Sequence, residues 1–175
     1  MSSLESRLMS VIRDVPDFPK PGIVFKDITP VLARPDLMND VTAHFVSRYA
    51  GKVDAVVGME SRGFIFGTPI ALALGAAFVP ARKPGKLPYE RISEEYDLEY
   101  GTAALEIPAE GVALAGRTVA IIDDVLATGG TLAASWDLLI TAGAVVTVAA
   151  VVIELAALGG RERLAGLPVR SLQRV

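Results

Sequence analysis

The chain has 175 residues, of which 51% are hydrophobic and 21% are charged, a balance that excludes a disordered chain. This length predicts a single domain, 1–175, with a well-filled core. Lys and Arg number 17 against 20 Asp and Glu, and the net charge of −3 argues against a nucleic-acid-binding protein. The absence of cysteine excludes disulfides, zinc-thiolate sites and a cysteine nucleophile, and it fits a cytoplasmic location.

Neither a secretory leader nor a membrane contact is expected. The N-terminal residues carry charges with no apolar block between them. The most apolar stretch, 142–153, is shorter than the ~20 residues that a membrane helix needs. Because it is rich in β-branched residues, it predicts a buried strand.

The first elements are predicted around a proline-rich break. Helical spacing predicts an initial helix through Leu4, Leu8, Val11, Ile12 and Val15. Ser2 and Glu5 match a capping box at its start. Three prolines within 16–22 exclude a helix there. An extended piece at 23–28 and a helix at 35–49 follow.

From residue 53 onward the pattern alternates between strands and helices. Strands are predicted at 53–59, 76–81, 102–107, 118–122, 145–153 and 169–172, and helical segments at 63–74, 130–142 and 160–164. This alternation predicts an α/β fold with a mainly parallel twisted sheet flanked by helices. Ligands of such sheets bind beyond the carboxyl ends of the strands, which points to the loops after Met59, Ala81 and Ile122.

The segment VAIIDDVLATGGT at 119–131 predicts a phosphate site. Its strand runs into Asp123 and Asp124, and a Thr-Gly-Gly-Thr sequence at 128–131 opens the next helix. Glycines let the backbone wrap around a ligand, and free amides at a helix start attract an anion. The carboxylates suit sugar hydroxyls or a hydrated magnesium ion instead. The motifs GxxxxGK[ST] and GxGxxG are absent, and the alternative to a phosphate site is a plain strand-to-helix turn.

Two further groups of residues predict a second anion site. Arg62 lies in the sequence Glu-Ser-Arg-Gly at 60–63, and its planar guanidinium suits phosphate oxygens. Arg82, Lys83 and Lys86 form a basic cluster after the next strand. The alternatives are an ion pair of Arg62 with its neighbouring glutamate and a solvated run of charges. Two anion loops fit a substrate with phosphate at both ends.

The segment 119–131 closely resembles the phosphoribosyl-diphosphate motif of type I phosphoribosyltransferases. Other segments narrow the resemblance to the adenine-specific branch: PDFPKPGIVFKDITPVL at 16–32, GMESRGFIFG at 58–67, RKPGKLP at 82–88, LEYG at 98–101 and VIELAALGGRERL at 152–164. The resemblance therefore covers essentially the whole chain. It implies a purine-salvage enzyme that converts adenine and phosphoribosyl diphosphate to AMP and diphosphate with Mg2+, and it implies a homodimer.

The resemblance also implies roles for residues at the strand ends. Asp123 and Asp124 are expected to hold the ribose hydroxyls and, through water, to contact Mg2+. The 5′-phosphate is expected to bind Ala127, Thr128, Gly129, Gly130 and Thr131. The diphosphate is expected to bind Ser61, Arg62, Arg82, Lys83 and Lys86, some of them across the dimer interface, and the peptide before Ser61 to be cis. Pro84 stands where relatives can carry another basic residue.

Residues 1–33 are expected to form a hood over adenine. Phe25 would stack on the base while backbone groups of Val24 and Lys26 read its edge, and Leu155 would complete the adenine site. An aromatic side chain at this position also suits a small core. Relatives can carry Arg in place of Lys26, a difference without consequence for a backbone contact.

Residues 82–101 are polar and are expected to form a lid loop that keeps water from the reactive sugar. Within it, Glu99 is the expected general acid toward the purine ring, and Tyr100 belongs to the same lid motif. The residues alone do not distinguish Glu99 from the other acids of the lid, Glu94, Glu95 and Asp97.

Two alternative functions fit the same residues. A 6-oxopurine could be the base in place of adenine. Its oxo group accepts a hydrogen bond where the adenine amino group donates one, so a site built for one base can reject the other. A non-enzymatic sensor of phosphoribosyl diphosphate could share the fold. The lid with Glu99, the acidic net charge and the absence of DNA-binding helices from the sequence argue against the sensor.

Overall fold

A computed structural model describes residues 2–18, 21–22, 24–98 and 101–175, with the backbone alone at 97–98 and 101–102. It contains two compact units, an N-terminal unit of residues 1–45 and a C-terminal unit of residues 46–175. The sequence predicts a single domain.

The N-terminal unit combines a short antiparallel pair of strands with helices. Its elements in chain order are α1 (Leu4–Met9), β1 (Arg13–Pro16), β2 (Val24–Asp27), α2 (Thr29–Leu32) and α3 (Pro35–Tyr49), of which α3 continues into the second unit. Val15 of β1 lies opposite Phe25 of β2. The buried apolar side chains of this unit come mainly from the helices: Leu8, Ile28, Val31, Leu37, Val41 and Phe45.

The predicted extent of the first helix is wrong. α1 ends at Met9, and residues 13–16 pair with β2 instead of continuing the helical spacing. Two ion pairs join the strands: Arg13 to Asp27 at 2.6 Å and Lys26 to Asp14 at 2.7 Å. These contacts come from residues 12 to 14 positions away, which a local periodicity does not reveal.

The cap of α1 also differs from the prediction. Ser3, and not Ser2, is the N-cap residue, and its hydroxyl accepts a hydrogen bond of 3.2 Å from the Ser6 amide. The helix therefore begins one residue later than a capping box of Ser2 and Glu5 requires.

The C-terminal unit contains a five-stranded sheet in which all pairs are parallel, in the order β4-β3-β7-β8-β9. Its elements are β3 (Ala55–Met59), α4 (Gly63–Leu74), β4 (Ala77–Ala81), β5 (Arg91–Leu98), β6 (Gly101–Pro108), β7 (Thr118–Leu126), α5 (Gly130–Thr141), β8 (Val145–Glu154), α6 (Gly160–Arg163) and β9 (Val169–Arg174). The predicted α/β fold is confirmed. Among the described residues, no helix has the length and apolar character needed to cross a membrane.

Part of the predicted lid loop is a strand. β5 pairs antiparallel with β6 over its whole length, so that residues 91–98 and 101–108 form a two-stranded sheet. Ile92 and Tyr96 pack against the core, whereas Arg91, Ser93 and Glu95 are exposed. This alternation is typical of a strand, but the charged residues in the segment conceal it in the sequence. A backbone bridge between Arg82 and Glu106 joins this pair of strands to the end of β4.

Small residues allow α4 to pack closely on the sheet. A Cβ on Gly58 of β3 would lie 2.7 Å from the ring of Phe78, and one on Gly67 of α4 would lie 3.0 Å from the same ring. Phe78 also meets Phe64 of α4 edge to face, with ring centroids 5.8 Å apart. The two glycines therefore make the space that the Phe78 ring fills.

We predict that Gly58→Ala destabilises the protein by about 1–3 kcal/mol, because the new methyl group overpacks this space. In a Phe78→Leu background the same substitution should cost less, since the smaller side chain leaves room. Urea denaturation of the four variants of this cycle measures the coupling. Equal costs in both backgrounds would contradict the packing argument.

Candidate active site

Three loops meet at one edge of the sheet because β4, β3 and β7 are parallel neighbours. The Glu60 amide, just after β3, donates to the Ala81 carbonyl at the end of β4 at 2.9 Å. On the other side, a Cβ on Gly63 would lie 2.8 Å from the Ile122 carbonyl of β7. The loops that the sequence singles out are therefore in contact.

The acidic pair lies within β7, which continues past the predicted end at Ile122 to Leu126. The Asp124 side chain is buried, and its Oδ2 lies 2.7 Å from Nε of Arg62. The Asp124 amide donates to Oδ1 of Asp123 at 2.8 Å. Burial, together with the neighbouring Asp124 carboxylate, raises the pKa of Asp123 well above its usual range. Among these contacts, the Arg62 guanidinium is the one positive charge that offsets the negative charge of the pair.

The loop after β3 turns sharply into α4. The peptide between Glu60 and Ser61 is cis, as the resemblance implies. Ser61 is exposed, and Gly63 at the start of α4 leaves room for the carboxylate of Asp123, whose Oδ1 a Cβ there would approach to 3.0 Å. The start of α4 is therefore packed against the acidic pair, and Arg62, just before α4, contacts Asp124.

The basic cluster is held by two glutamates that sequence reasoning did not assign to the site. Glu60 accepts a hydrogen bond of 2.8 Å from the Lys83 amide and lies 3.5 Å from the Arg82 guanidinium. The lowered pKa of Glu60 follows mainly from the hydrogen bond of the Lys83 amide. Buried Glu106 accepts a hydrogen bond of 3.1 Å from the Gly85 amide. Lys83 and Lys86 are exposed on this anchored loop.

The sequence leaves open an ion pair between Arg62 and Glu60. In the structure, the Glu60 carboxylate binds the loop after β4 instead, and Arg62 pairs with Asp124. The local sequence cannot predict the pairing of Arg62 with Asp124, because the two residues are 62 positions apart. Glu60 thus links the loop after β3, which contains Arg62, to the loop after β4, which contains Lys83.

The glycine-rich loop joins β7 to α5. Gly129 has φ +83°, which glycine adopts without strain, and as the N-cap residue of α5 it has no side chain to bind the first helical amides. Thr128 is exposed and Thr131 is half-buried. Leu155 lies beside this loop, since its amide donates to the Leu126 carbonyl at 2.9 Å. This backbone geometry suits an anion.

The remaining predicted residues lie elsewhere or are not described. Glu99 and Tyr100 fall outside the described residues. Val24, Phe25 and Lys26 lie on β2 of the N-terminal unit, where Phe25 meets the edge of the Phe18 ring at a centroid distance of 5.2 Å. The structure thus brings together the residues predicted for phosphate and sugar, all within the C-terminal unit.

Comparisons with known proteins agree with this geometry. Residues 28–171 match the model of the phosphoribosyl transferase domain. The adenine phosphoribosyltransferase of Mycolicibacterium paratuberculosis is 56% identical over 165 residues, covering 94% of this chain and 91% of that protein. The crystal structure of the adenine phosphoribosyltransferase from Thermoanaerobacter pseudethanolicus aligns with a TM-score of 0.93 at 46% identity, over 99% of this chain and 100% of that chain.

A further structure, the Saccharomyces cerevisiae adenine phosphoribosyltransferase complexed with an imino-altritol bisphosphate and adenine, aligns with a TM-score of 0.91 at 38% identity, over 98% of this chain and 99% of that chain. The fold, the loops at the strand ends and the matches to known proteins together define the class of this protein as a phosphoribosyltransferase. Within that class, the chain belongs to the adenine phosphoribosyltransferase family. The resemblance found in the sequence is confirmed.

We predict that Asp123→Asn stabilises the protein at neutral pH, raising Tm by about 2–4 °C, the shift that roughly 1 kcal/mol gives at this chain length. Because the pKa of Asp123 is raised on folding, the folded state binds more protons than the unfolded state between the two pKa values. Stability of the unsubstituted protein therefore falls as pH rises through this range, and the advantage of the asparagine variant grows.

Calorimetric melting from pH 4 to pH 8 measures this difference. The advantage should shrink toward pH 4, where the carboxyl group is protonated in the folded state. Asp137→Asn, at an acid on the following helix α5, serves as the matched control. A constant Tm difference across the range would contradict the argument.

Proposed function

We propose that the protein transfers the phosphoribosyl group of phosphoribosyl diphosphate to adenine, releasing diphosphate and forming AMP. The observation that carries this proposal is the acidic pair, Asp123 and Asp124, placed between two loops suited to anions. A substrate with phosphate groups on both sides of a sugar matches this order of charges. The family of the chain supports the same reaction.

The two ends of the substrate bind different loops. The amides of Ala127, Thr128, Gly129, Gly130 and Thr131 and the two threonine hydroxyls take the 5′-phosphate at the start of α5. The diphosphate takes the other loops, where Ser61, Arg62, Arg82, Lys83 and Lys86 supply a hydroxyl and cations. Glu60 and Glu106 hold the backbone of the basic loop in place for this contact.

The acidic pair acts on the sugar between these loops. As diphosphate leaves, positive charge develops on the ribose ring, and carboxylates already in position stabilise it without reorganisation. Asp123 and Asp124 also accept hydrogen bonds from the ribose hydroxyls. A developing cation lowers the pKa of a nearby carboxyl group, so substrate favours the ionised form of Asp123.

The residues of this edge fit Mg2+ that arrives with the substrate. Among the described residues no group of three or more carboxylates or imidazoles could hold a metal alone, whereas the adjacent Asp123 and Asp124 suit contacts through water. Mg2+ would supply positive charge that neutralises the departing diphosphate. The protein then needs only to orient the two acids toward the sugar.

Adenine recognition rests on the residues named from the resemblance. The resemblance assigns stacking on the base to Phe25, contacts with the base edge to backbone groups of Val24 and Lys26, and a further adenine contact to Leu155. Glu99 serves as the general acid toward the purine ring, with Tyr100 in the same lid. The protein acts in the cytoplasm, in accord with its cysteine-free composition.

The test is nucleotide formation from phosphoribosyl diphosphate, Mg2+ and each purine base in turn. AMP from adenine, with no product from hypoxanthine, guanine or xanthine, is the expected result. Asp124→Asn keeps the shape of the buried side chain and should lower kcat about a hundredfold or more, by loss of charge stabilisation. Product from a 6-oxopurine alone would overturn the base assignment, and substrate binding without product from any base would favour a sensor.

The protein also forms a homodimer in this proposal. Ile65 and Leu72 of α4 are 41% and 77% exposed, and they lie seven positions apart on one face of the helix. Exposed apolar side chains on one face are typical of a surface covered by another chain. Basic residues that reach the diphosphate across such an interface would make the dimer the active form.

We predict that Leu72→Arg shifts the protein to a monomer in sedimentation-velocity experiments and lowers its activity, because a charge replaces a buried apolar contact. Ile140→Arg is the matched control, since Ile140 is also an exposed apolar residue but lies on α5. It should leave the dimer intact. A Leu72 variant that sediments as a dimer would remove α4 from the interface.

A further inference from the structure

The short helix α6 forms the wall behind the phosphate loop. A Cβ on Gly160, its first residue, would overlap the Ala127 carbonyl, and a Cβ on Gly129 would lie 2.7 Å from the Gly160 carbonyl. The guanidinium of Arg163 lies beside Gly130, where a Cβ would be 3.3 Å from its Nη1. The position of α6 therefore sets the position of the loop backbone at 127–130.

A helix of four residues is too short to be stable alone, so its position must be fixed by other contacts. Arg161 supplies them. Its Nε donates to Oε1 of Glu154 at 2.9 Å, its Nη2 donates to Oε2 of the same carboxylate, and its Nη1 donates to the Val169 carbonyl at 3.2 Å. This paired contact fixes both the distance and the orientation of α6 relative to the end of β8.

Glu154 is suited to hold Arg161 because it is itself held. Its side chain is 2% exposed, and Ser171 of β9 donates to its Oε2 at 2.7 Å. Arg161 and, less strongly, the Ser171 hydroxyl lower the pKa of Glu154, which stays ionised at neutral pH. Nε of Arg174 also lies 3.3 Å from the Glu154 carboxylate, but Arg174 belongs to β9 and not to α6.

We propose that Glu154 is a positioning residue for the 5′-phosphate: through Arg161 it holds Gly160 against Ala127 and Gly129 and so sets the shape of the phosphate loop. This role rests on the proposed function, in which that loop binds the 5′-phosphate of phosphoribosyl diphosphate. Glu154 touches no substrate in this role. Its effect reaches the substrate through the backbone contacts of α6.

The experiment compares Glu154→Gln with Arg174→Ala. Glutamine keeps the size of the side chain but loses the charge that pairs with Arg161, so the loop loses its fixed support. KM for phosphoribosyl diphosphate should rise on the order of ten- to a hundredfold, as expected for a small displacement of a binding group. KM for adenine and kcat at saturating substrate should change little.

Arg174→Ala removes another partner of the same carboxylate and should lower Tm without this rise in KM. A direct measurement uses ribose 5-phosphate, whose binding by calorimetry should weaken in the Glu154 variant alone. An equal rise in both variants, or equal changes in the KM of both substrates, would overturn the positioning role and leave a general contribution to stability.

A second variant keeps the test valid if Glu154→Gln does not fold. Arg161→Lys retains the positive charge but cannot make the paired contact, so it should also raise KM for phosphoribosyl diphosphate. Where both variants fold, their effects should not add, because each breaks the same contact. If the unsubstituted protein forms no AMP, the proposed function fails, whereas ribose 5-phosphate binding still tests the positioning role.

Discussion

Repulsion between two adjacent carboxylates constrains the rest of this site. Asp123 and Asp124 follow each other on a buried strand, where burial and the neighbouring Asp124 carboxylate raise the pKa of Asp123. Arg62 offsets part of this charge from the neighbouring loop. Phosphate groups cannot bind at such a centre, so the anion sites have to lie on either side of it. The sheet order β4-β3-β7 provides these positions, because three carboxyl-terminal loops meet there.

Close packing of backbone on backbone is the second requirement. Gly63 lets α4 approach β7, and Gly160 lets α6 approach the phosphate loop, at distances that exclude any Cβ. Both contacts put a helix start or a loop within reach of a ligand without placing a side chain between them. The conformation of the loops therefore depends on secondary structure elements on either side, which is why the Glu154–Arg161 pair, outside the ligand loops, can influence them.

The sequence predicts the parts of this structure that depend on local pattern. The helices at 35–49 and 63–74 and the alternating strands carry clear periodicity, and the loops at 60–63 and 127–131 have short, distinctive sequences. It does not predict β1, whose residues match a helical period but pair with a strand farther along the chain. Nor does it assign Glu60, Glu106 and Glu154, since their partners are brought near only by the folded sheet.

The two proposed substrates, phosphoribosyl diphosphate and adenine, are recognised by different physical interactions. Recognition of phosphoribosyl diphosphate relies on charge and backbone amides, and its proposed residues all lie in the C-terminal unit on loops fixed by the parallel sheet. The proposed recognition of adenine uses stacking and a few directional hydrogen bonds, and three of its proposed residues, Val24, Phe25 and Lys26, lie in the N-terminal unit. Charge attracts any phosphorylated sugar of the right length, whereas a hydrogen bond to a base edge distinguishes an amino from an oxo group. In the proposed function, the distinction between an amino and an oxo group is therefore assigned to the backbone groups of Val24 and Lys26, whereas the acidic pair and the anion loops carry transfer chemistry that does not depend on the base.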